Sequence, residues 1–229
     1  MSETGRYEIK FVLDEESKYT DALRWLNTCL PSRRSYPGRS VQSIYFDDPE
    51  FNSVKDNLTG ISDRRKLRLR WYHMGPESST PKLELKIKNG RLGFKRHFEL
   101  HPLASDISCL KFNKIAKLVR ENIIEKGAVE HIFCNHLSPS LYVNYYRDYF
   151  EAPYNIRITI DSNITYSLAD PFLSIADSAE ITTPSRILEI KFPPSSKNEV
   201  SHLMSELHLI PTRHSKYLMG LARHGLIVY

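Results

Sequence analysis

The sequence predicts an α+β fold in which eight antiparallel strands close into a β-barrel with a basic lumen and flanking α-helices. Eight short segments alternate apolar and charged residues with period two, as strands with one polar face do. Stretches between them have the spacing of amphipathic helices. Arg and Lys dominate the polar positions of strand after strand, and like charges on one sheet face repel unless a polyanion lies against them. Eight strands are enough to enclose such a face.

The composition is that of one folded globular domain spanning residues 1–229, with 41% hydrophobic and 26% charged residues. No apolar run approaches the roughly 18 residues that span a bilayer, and the first ten residues lack a signal pattern. We therefore expect a cytoplasmic protein without membrane insertion. Cys29, Cys109 and Cys134 are odd in number and widely spaced, which excludes a disulfide framework and predicts reduced, buried thiols.

The elements follow from these periodicities. Helices are predicted from the apolar spacings within 19–30, 107–119 and 200–207, and a short last helix after the N-cap residue Ser215. The basic segment 31–40, with Arg33, Arg34 and Arg39, is predicted to be a loop that is solvated or guides an anion to the lumen. Strands are predicted at 5–12, 41–47, 65–73, 81–88, 91–99, 139–149, 155–161 and 186–192.

One turn can be predicted in detail. Asn89-Gly90 between two alternating segments predicts a two-residue type I′ hairpin, which would place Glu84 opposite Lys95 as a cross-strand ion pair. One face of the hairpin is then apolar and the other is charged.

The same division recurs in other strands, and it carries the functional prediction. For any one strand, a solvated outer face explains the alternation. A merely solvated face should mix Lys with Glu, Thr, Ser and Gln, whereas basic residues predominate here. The pattern favours a lumen suited to a phosphate chain. The polar sets are Arg6, Glu8 and Lys10; Lys66, Arg68 and Arg70; Arg157 and Asp161; and Glu189 and Lys191.

Eight short motifs occur in one order along nearly the whole chain and resemble the VTC (vacuolar transporter chaperone) domain. This family is the polyphosphate polymerase branch of the triphosphate tunnel, or CYTH-like, metalloenzymes. The motifs are Tyr7-Glu8-Ile9-Lys10-Phe11, Ile44-Tyr45-Phe46-Asp47-Asp48, Lys66-Leu67-Arg68-Leu69-Arg70-Trp71-Tyr72, Leu83-Glu84-Leu85-Lys86, Tyr145-Tyr146-Arg147, Arg157 to Asp161, Leu188-Glu189-Ile190-Lys191 and His214-Ser215-Lys216-Tyr217.

The resemblance implies a tunnel in which ATP and Mn²⁺ or Mg²⁺ extend an inorganic polyphosphate chain. It implies catalytic phosphate ligands at Arg68, Arg70, Lys86, Arg147 and Lys216 and a metal-binding carboxylate at Glu189, with Glu8 and Glu84 as second choices. Ser215 and Lys216 would also stand at a helix N-terminus, where backbone N–H groups favour phosphate. Further phosphate or ATP contacts are expected at Lys10, Lys95, Tyr145, Ser215, Arg157 and Lys191.

Arg6 is a departure from the wider superfamily, whose hydrolytic and cyclase members carry a Glu at that position. Losing a carboxylate should weaken a second metal site and the activation of water, which favours a polymerase over a triphosphatase. A non-catalytic polyphosphate-binding module and a metal-dependent hydrolase remain alternatives. We expect no counterpart of the regulatory module and membrane segments of the eukaryotic complexes, which leaves a membrane-channel partner open. Nucleic acid is disfavoured because the aromatic residues alternate to the apolar faces.

Overall fold

The computed structural model describes residues 5–28, 31–74, 77–90, 92–100, 106–125 and 137–229. Ten antiparallel strands form one sheet, accompanied by five α-helices in this part of the chain. The strands are β1 (Tyr7–Leu13), β2 (Arg33–Asp47), β3 (Asp63–Met74), β4 (Glu77–Ser78), β5 (Lys82–Asn89), β6 (Leu92–Glu99), β7 (Ser138–Ala152), β8 (Ile156–Leu168), β9 (Ile181–Thr183) and β10 (Arg186–Phe192). The helices are α1 (Glu16–Thr28), α2 (Asn52–Thr59), α3 (Phe112–Glu125), α4 (Lys197–Ser205) and α5 (Lys216–Arg223).

The strand order is β1-β10-β8-β7-β2-β3-β5-β6, with β4 added beside β3 and β9 beside β8. The two edge strands, β1 and β6, meet at one isolated bridge, where Arg6 and Gly93 exchange backbone hydrogen bonds of 3.4 and 3.3 Å. Among the described residues this is the one place where these edges pair. The structure therefore shows an antiparallel sheet whose edges meet, without the continuous ladder of the predicted closed barrel.

Helices cover the apolar face of the sheet, as the alternation predicts. Trp25 of α1 and Val200 of α4 are buried with the apolar side chains of β1, β8 and β10. Phe112, Ile115 and Val119 of α3 are buried against β2, β3, β5 and β7. Burial of each such side chain stabilises the fold by about 1.5–3 kcal/mol. This burial keeps the apolar face of the sheet against α1, α3 and α4.

Helix α5 packs on the other face of the sheet. Its Leu218 and Leu221 are buried with residues such as Val143 of β7, whose neighbour Tyr142 points to the α3 side. Gly220 allows this close approach, because a Cβ there would lie 2.4 Å from Leu141 Cδ2. The start of α5 is thereby brought to the charged part of the sheet.

All eight predicted strands are present, but the predicted loop over 31–40 is wrong. Strand β2 begins at Arg33 and pairs with β7 from Glu151 onward. Pro37 and Gly38 suggest a turn, yet register shifts around Tyr36 absorb them without ending the strand. Helix α2 and strands β4 and β9 are not among the predicted elements, and the predicted helix over 107–119 consists of a 3-10 turn at Ile107–Cys109 followed by α3.

The predicted hairpin register is wrong by two residues. Asn89 pairs with Leu92, and Gly90 has a φ of 57°. Because an even shift preserves the faces, the charged side of the hairpin is as predicted. The partners change: Glu84 lies opposite His97 rather than Lys95.

Two further expectations can be compared with the structure. Cys109 is exposed rather than buried, because it ends a surface 3-10 turn; Cys29 and Cys134 lie outside the described residues. In the described part of the chain, no helix has the length and apolar character needed to cross a membrane.

Candidate functional site

A cavity of about 160 Å³ lies on the charged face of the sheet. Among the described residues, eleven Lys or Arg side chains and two Glu side chains line it. The lining contains every predicted site residue except Glu84 and Arg157. Its members are Glu8, Lys10, Tyr45, Asn57, Arg64, Lys66, Arg68, Arg70, Lys86, Lys88, Lys95, Tyr145, Arg147, Glu189, Lys191, His214, Ser215 and Lys216.

Strand alternation explains why these side chains converge. Residues two apart share a face, so Lys66, Arg68 and Arg70 of β3 enter the cavity while Leu67 and Leu69 are buried under α3. The same rule applies to β1, β5, β7 and β10. Helix α5 adds its N-terminal residues to the surface that the strands build.

Two carboxylates and a lysine form the first cluster in the cavity. Lys10 Nζ lies 2.8 Å from Glu8 Oε1 and 3.3 Å from Glu189 Oε2, and it faces Glu189 across the β1–β10 ladder. Lys86 bonds the other oxygen of Glu8 at 3.0 Å, and Lys191 bonds Glu189. Burial alone would raise the pKa of both carboxyls, but these ammonium groups hold each pKa well below its usual range. Both carboxylates are therefore charged at neutral pH.

Asp161 organises a second cluster from three elements. Its carboxylate, with 0% side-chain exposure, accepts hydrogen bonds from Arg147 Nη2 at 2.7 Å and from Lys216 Nζ. The Tyr145 ring lies 5.1 Å from the Arg147 guanidinium carbon and 4.4 Å from Lys216 Nζ. These contacts keep the pKa of Asp161 below its ordinary value despite burial. Asp161 thus fixes two cations on one side of the cavity.

The third cluster explains why Glu84 is absent from the lining. Arg68 Nε donates to Glu84 Oε2 at 2.7 Å, so the carboxylate sits behind the guanidinium. Arg70 donates to Ser43 Oγ at 3.2 Å and to Tyr145 Oη at 3.1 Å. Glu84 therefore orients Arg68. In place of the predicted pair with Lys95, Glu84 of β5 pairs with Arg68 of β3.

Three lysines form a row across neighbouring strands. Lys66 of β3 lies opposite Lys86 of β5, which lies opposite Lys95 of β6. Burial, helped by the surrounding cations, lowers the pKa of Lys66 to about 7 and that of Lys95 to about 6. Crowding of this kind costs stability in the empty protein, and an anion in the cavity relieves it.

The family model for the VTC domain matches residues 5–224 of this chain. The chain belongs to the VTC domain family. A comparison with curated proteins found no match.

Solved structures share the fold of this VTC domain. HpAC1 from Hippeastrum, a candidate adenylyl cyclase with a dominant triphosphatase activity, has a TM-score of 0.54 and 14% identity, covering 98% of this chain and 97% of that one. The PH1819 protein of Pyrococcus horikoshii OT3 has a TM-score of 0.51 and 14% identity, covering 96% and 99%. A candidate adenylate cyclase from Vibrio parahaemolyticus has a TM-score of 0.51 and 10% identity, covering 96% and 99%. At these identities, the likeness concerns the fold.

Arg157 is the predicted site residue that this VTC domain places outside the cavity. It lies opposite Lys191 in the β8–β10 ladder, yet its side chain is exposed and is not part of the lining. Its neighbour is Arg6, whose pKa is lowered first by burial and then by the Arg157 charge. Arg6 donates to the carbonyl of Asn155 at 3.3 Å. The two arginines form a separate basic edge.

The predicted site residues also omit six members of the lining. Arg64, Lys66 and Lys88 were recoverable from the sequence, because each continues a polar strand face that was already recognised. Asn57 belongs to α2, which the sequence did not reveal. The remaining members are Tyr45 and His214, which lie within recognised motifs.

His214 is unusual because its Nε2 atom is buried and has no hydrogen-bond partner among the described residues. Burial, together with Lys216 and Lys10, lowers its pKa to about 3, so the imidazole is neutral. Its carbonyl accepts a hydrogen bond from Lys10 Nζ at 3.0 Å. His214 therefore contributes a polar but uncharged side chain to the cavity.

The donor set of the VTC domain fits a hard divalent cation held together with its substrate. No group of three or more His, Cys, Asp or Glu residues gathers in the described ranges. Glu8 and Glu189 are adjacent, charged and on the lining. Magnesium commonly uses one or two carboxylates, retained waters and substrate phosphate oxygens, and these two residues match the carboxylate part of such a set. Glu84 is less suited to this role because it lies outside the lining of the cavity.

Proposed function

We propose that this VTC domain is a polyphosphate polymerase that transfers the γ-phosphoryl group of ATP to the end of an inorganic polyphosphate chain. The observation that carries the proposal is the concentration of eleven cationic side chains and two adjacent carboxylates in one cavity of the described structure. Phosphoryl transfer needs little covalent chemistry from a protein. Positioned positive charge around the phosphoryl oxygens supplies most of the stabilisation.

Each cluster has a place in this reaction. Arg68, Arg70, Lys86, Arg147 and Lys216 would hold the reacting phosphates, and the guanidinium groups can each bind two phosphate oxygens. Glu8 and Glu189 would hold Mn²⁺ or Mg²⁺, which supplies further charge neutralisation at phosphate oxygens. Further phosphate contacts would come from Lys10, Lys95, Tyr145, Lys191 and Ser215.

The bond changes in this proposal balance without a proton carrier. A terminal phosphate oxygen of the acceptor chain forms a bond to the γ-phosphorus. The bond between that phosphorus and the oxygen shared with the β-phosphate breaks, and ADP leaves with the electron pair. The acceptor chain grows by one phosphate and keeps its anionic end.

The weak bases on the lining support phosphate, rather than water, as the acceptor. Attack by water requires a base that removes its proton, and the most effective base has a pKa near the working pH. Glu8, Glu189 and His214 all have pKa values well below neutrality. Lys66 and Lys95 titrate near neutrality in the empty cavity, but a bound phosphate chain raises their pKa values again.

The way that the sheet edges meet supports a tunnel. The bridge between Arg6 and Gly93 brings β1 beside β6, with cations on the shared inner face. We infer that the sheet wraps around the phosphate chain along this face.

The test is a time course with ATP and Mn²⁺ that follows ADP, orthophosphate and acid-insoluble polyphosphate together. We expect ADP and polyphosphate to rise in step. Arg70→Ala, Lys86→Ala and Glu189→Gln should each reduce turnover by about 10²-fold or more, whereas Lys114→Ala on the exposed side of α3 should not. Orthophosphate rising in step with ADP would make the domain a hydrolase. Tight polyphosphate binding without ATP consumption would make it a binding module.

A further inference from the structure

Three cations at one end of the cavity lie outside the clusters that hold the reacting phosphates. Arg64 is the second residue of β3 and Lys88 is the penultimate residue of β5, and the two face each other across the ladder. Lys66 lies one step inward, on the same face. Because Arg64 and Lys88 stand near strand ends, they lie at one end of the row of cations that β3 and β5 contribute to the cavity. We call Arg64, Lys66 and Lys88 the outer basic set.

The outer basic set differs from the inner cations in its lack of acidic partners. Within the described ranges, no carboxylate oxygen lies within 4.0 Å of any of its three side chains. Inner cations such as Lys10, Arg68 and Arg147 each contact a carboxylate. These inner cations are held in direct ion pairs, whereas the outer cations have no carboxylate within ion-pair distance in the described ranges.

This arrangement is costly without a ligand. Arg64 faces Lys88, and Lys66 faces Lys86, so like charges stand directly opposite in two successive rows. Such pairs destabilise a sheet. Burial and neighbouring cations also lower the pKa of Lys66 and of Lys88. A solvated face would allow these side chains to diverge into water, whereas all three line one cavity.

We propose that Arg64, Lys66 and Lys88 form an outer phosphate subsite that binds the part of a linear polyphosphate chain lying beyond the reacting phosphates. The inference rests on the proposed function, because it concerns the same cavity. Lys66 links the two regions, since its Nζ donates to Ser215 Oγ at 3.1 Å beside the start of α5. The subsite would make the domain prefer long chains to triphosphate.

The consequence is a difference in affinity by chain length. Tripolyphosphate fills the inner site and gains little from the outer basic set. A longer chain reaches both regions and gains several charge-assisted contacts, each typically changing affinity by about tenfold. Removing outer cations should therefore lower the affinity for long chains more than the affinity for tripolyphosphate.

The experiment measures binding of tripolyphosphate and of a long linear polyphosphate, without ATP, by titration calorimetry. The test variant is the double variant Arg64→Gln/Lys88→Gln, with Lys114→Gln/Lys117→Gln on exposed α3 positions as the matched control. The double variant should lose about tenfold or more in long-chain affinity and keep its tripolyphosphate affinity. Arg64→Lys/Lys88→Arg, which keeps both charges, should retain the long-chain preference.

Equal losses for both ligands, or no loss for the long chain, would overturn the outer subsite. Thermal unfolding checks the fold, and the test variant should unfold at an unchanged or higher temperature because like-charge repulsion is removed. The outcome is separable from the polymerase proposal. A wild-type protein that makes no polymer, but whose test variant loses long-chain affinity, would retain the subsite and lose the polymerase assignment.

Discussion

Lys66 shows how the environment of one residue links binding to pH. It is surrounded by positive groups from its own strand and from neighbouring strands, and burial lowers its pKa to about 7. A bound polyanion favours the charged ammonium and moves the pKa back toward its ordinary value. Binding then takes up a proton at any pH between these two values. The groups acting on Lys66 are Arg64 of β3, Lys86 of β5, Lys10 of β1, Asp47 at the end of β2 and Ser215 before α5.

This linkage predicts a pH profile for polyphosphate binding. Affinity should change little with the protonation of Lys66 below about pH 7 and should fall as pH rises above it. Titrations with long polyphosphate between pH 6 and pH 9, in steps of about one pH unit, measure how the affinity changes with pH. Lys66→Arg keeps its charge throughout, so its profile should be flatter than that of the wild type. Parallel profiles for the two proteins would contradict this role of Lys66.

Asp161 acts on the cavity through the cations that it holds. Asp161→Asn removes the charge that orients Arg147 and Lys216, so turnover should fall by about 10²-fold. Removing one partner of a buried ion pair also costs about 3–5 kcal/mol of stability. Assays well below the unfolding temperature separate the two effects. Glu121→Gln, on the exposed side of α3, is the control, and wild-type turnover in Asp161→Asn would refute the positioning role.

At the scale of elements, α5 connects packing with the site. It places Ser215 and Lys216 on the cavity while its apolar residues pack on the inner face of the sheet. The Ser215 side chain accepts a hydrogen bond from Leu218 N, as an N-cap does. The position of these two residues therefore depends on how closely the helix approaches β7 and β8.

Gly220→Ala tests that dependence. The added Cβ would lie 2.4 Å from Leu141 and 2.6 Å from Tyr166, which should destabilise the fold by about 1–3 kcal/mol. Urea unfolding measures the stability, and turnover should fall with it because α5 shifts. Gly93→Ala is the matched control, since its nearest atom lies 4.0 Å away. Unchanged stability in Gly220→Ala would show that α5 is not tightly held.

The elements also show what a single sequence can reveal. Period-two alternation placed Glu8, Lys10, Arg68 and Lys86 on the cavity face, because face membership depends only on the strand itself. Partners within that face were not predictable, since they depend on register. The hairpin shift replaced the expected Glu84–Lys95 pairing with His97 opposite Glu84.

Helix α2 illustrates a second limit. It is eight residues long and follows Phe51, which has a left-handed φ of 53° and makes no side-chain cap. No long apolar stripe marks such a helix in the sequence, so its contribution of Asn57 to the cavity was not predicted. The extension of β2 past Pro37 was hidden for a related reason, because bulges carry no reliable sequence signal.

At the scale of the whole molecule, the fold balances buried acids against an excess of cations. Glu8, Glu84, Asp161 and Glu189 all have pKa values lowered by neighbouring Lys or Arg. A lowered carboxyl pKa adds stability that is fully present above the ordinary value near 4 and is lost as pH falls below it. Protonation of these four carboxylates at acid pH should therefore destabilise the folded protein.

The free energy of unfolding should consequently fall steeply between about pH 5 and pH 3. Urea unfolding at a series of pH values measures this. The Asp161→Asn variant lacks one of these acids. Its free energy of unfolding should therefore fall less over the same pH range than that of the wild type. A stability that is flat down to pH 3 would contradict the arrangement of charges described for the cavity.

The most direct test of the central proposal is the fate of the terminal phosphate of ATP. Purified protein is incubated with γ-labelled ATP, Mn²⁺ and unlabelled polyphosphate, and the products are separated by size. We expect label in polyphosphate that is longer than the added chains, with one ADP released for each phosphate incorporated. Label found in orthophosphate alone, with the added chains unchanged, would contradict it.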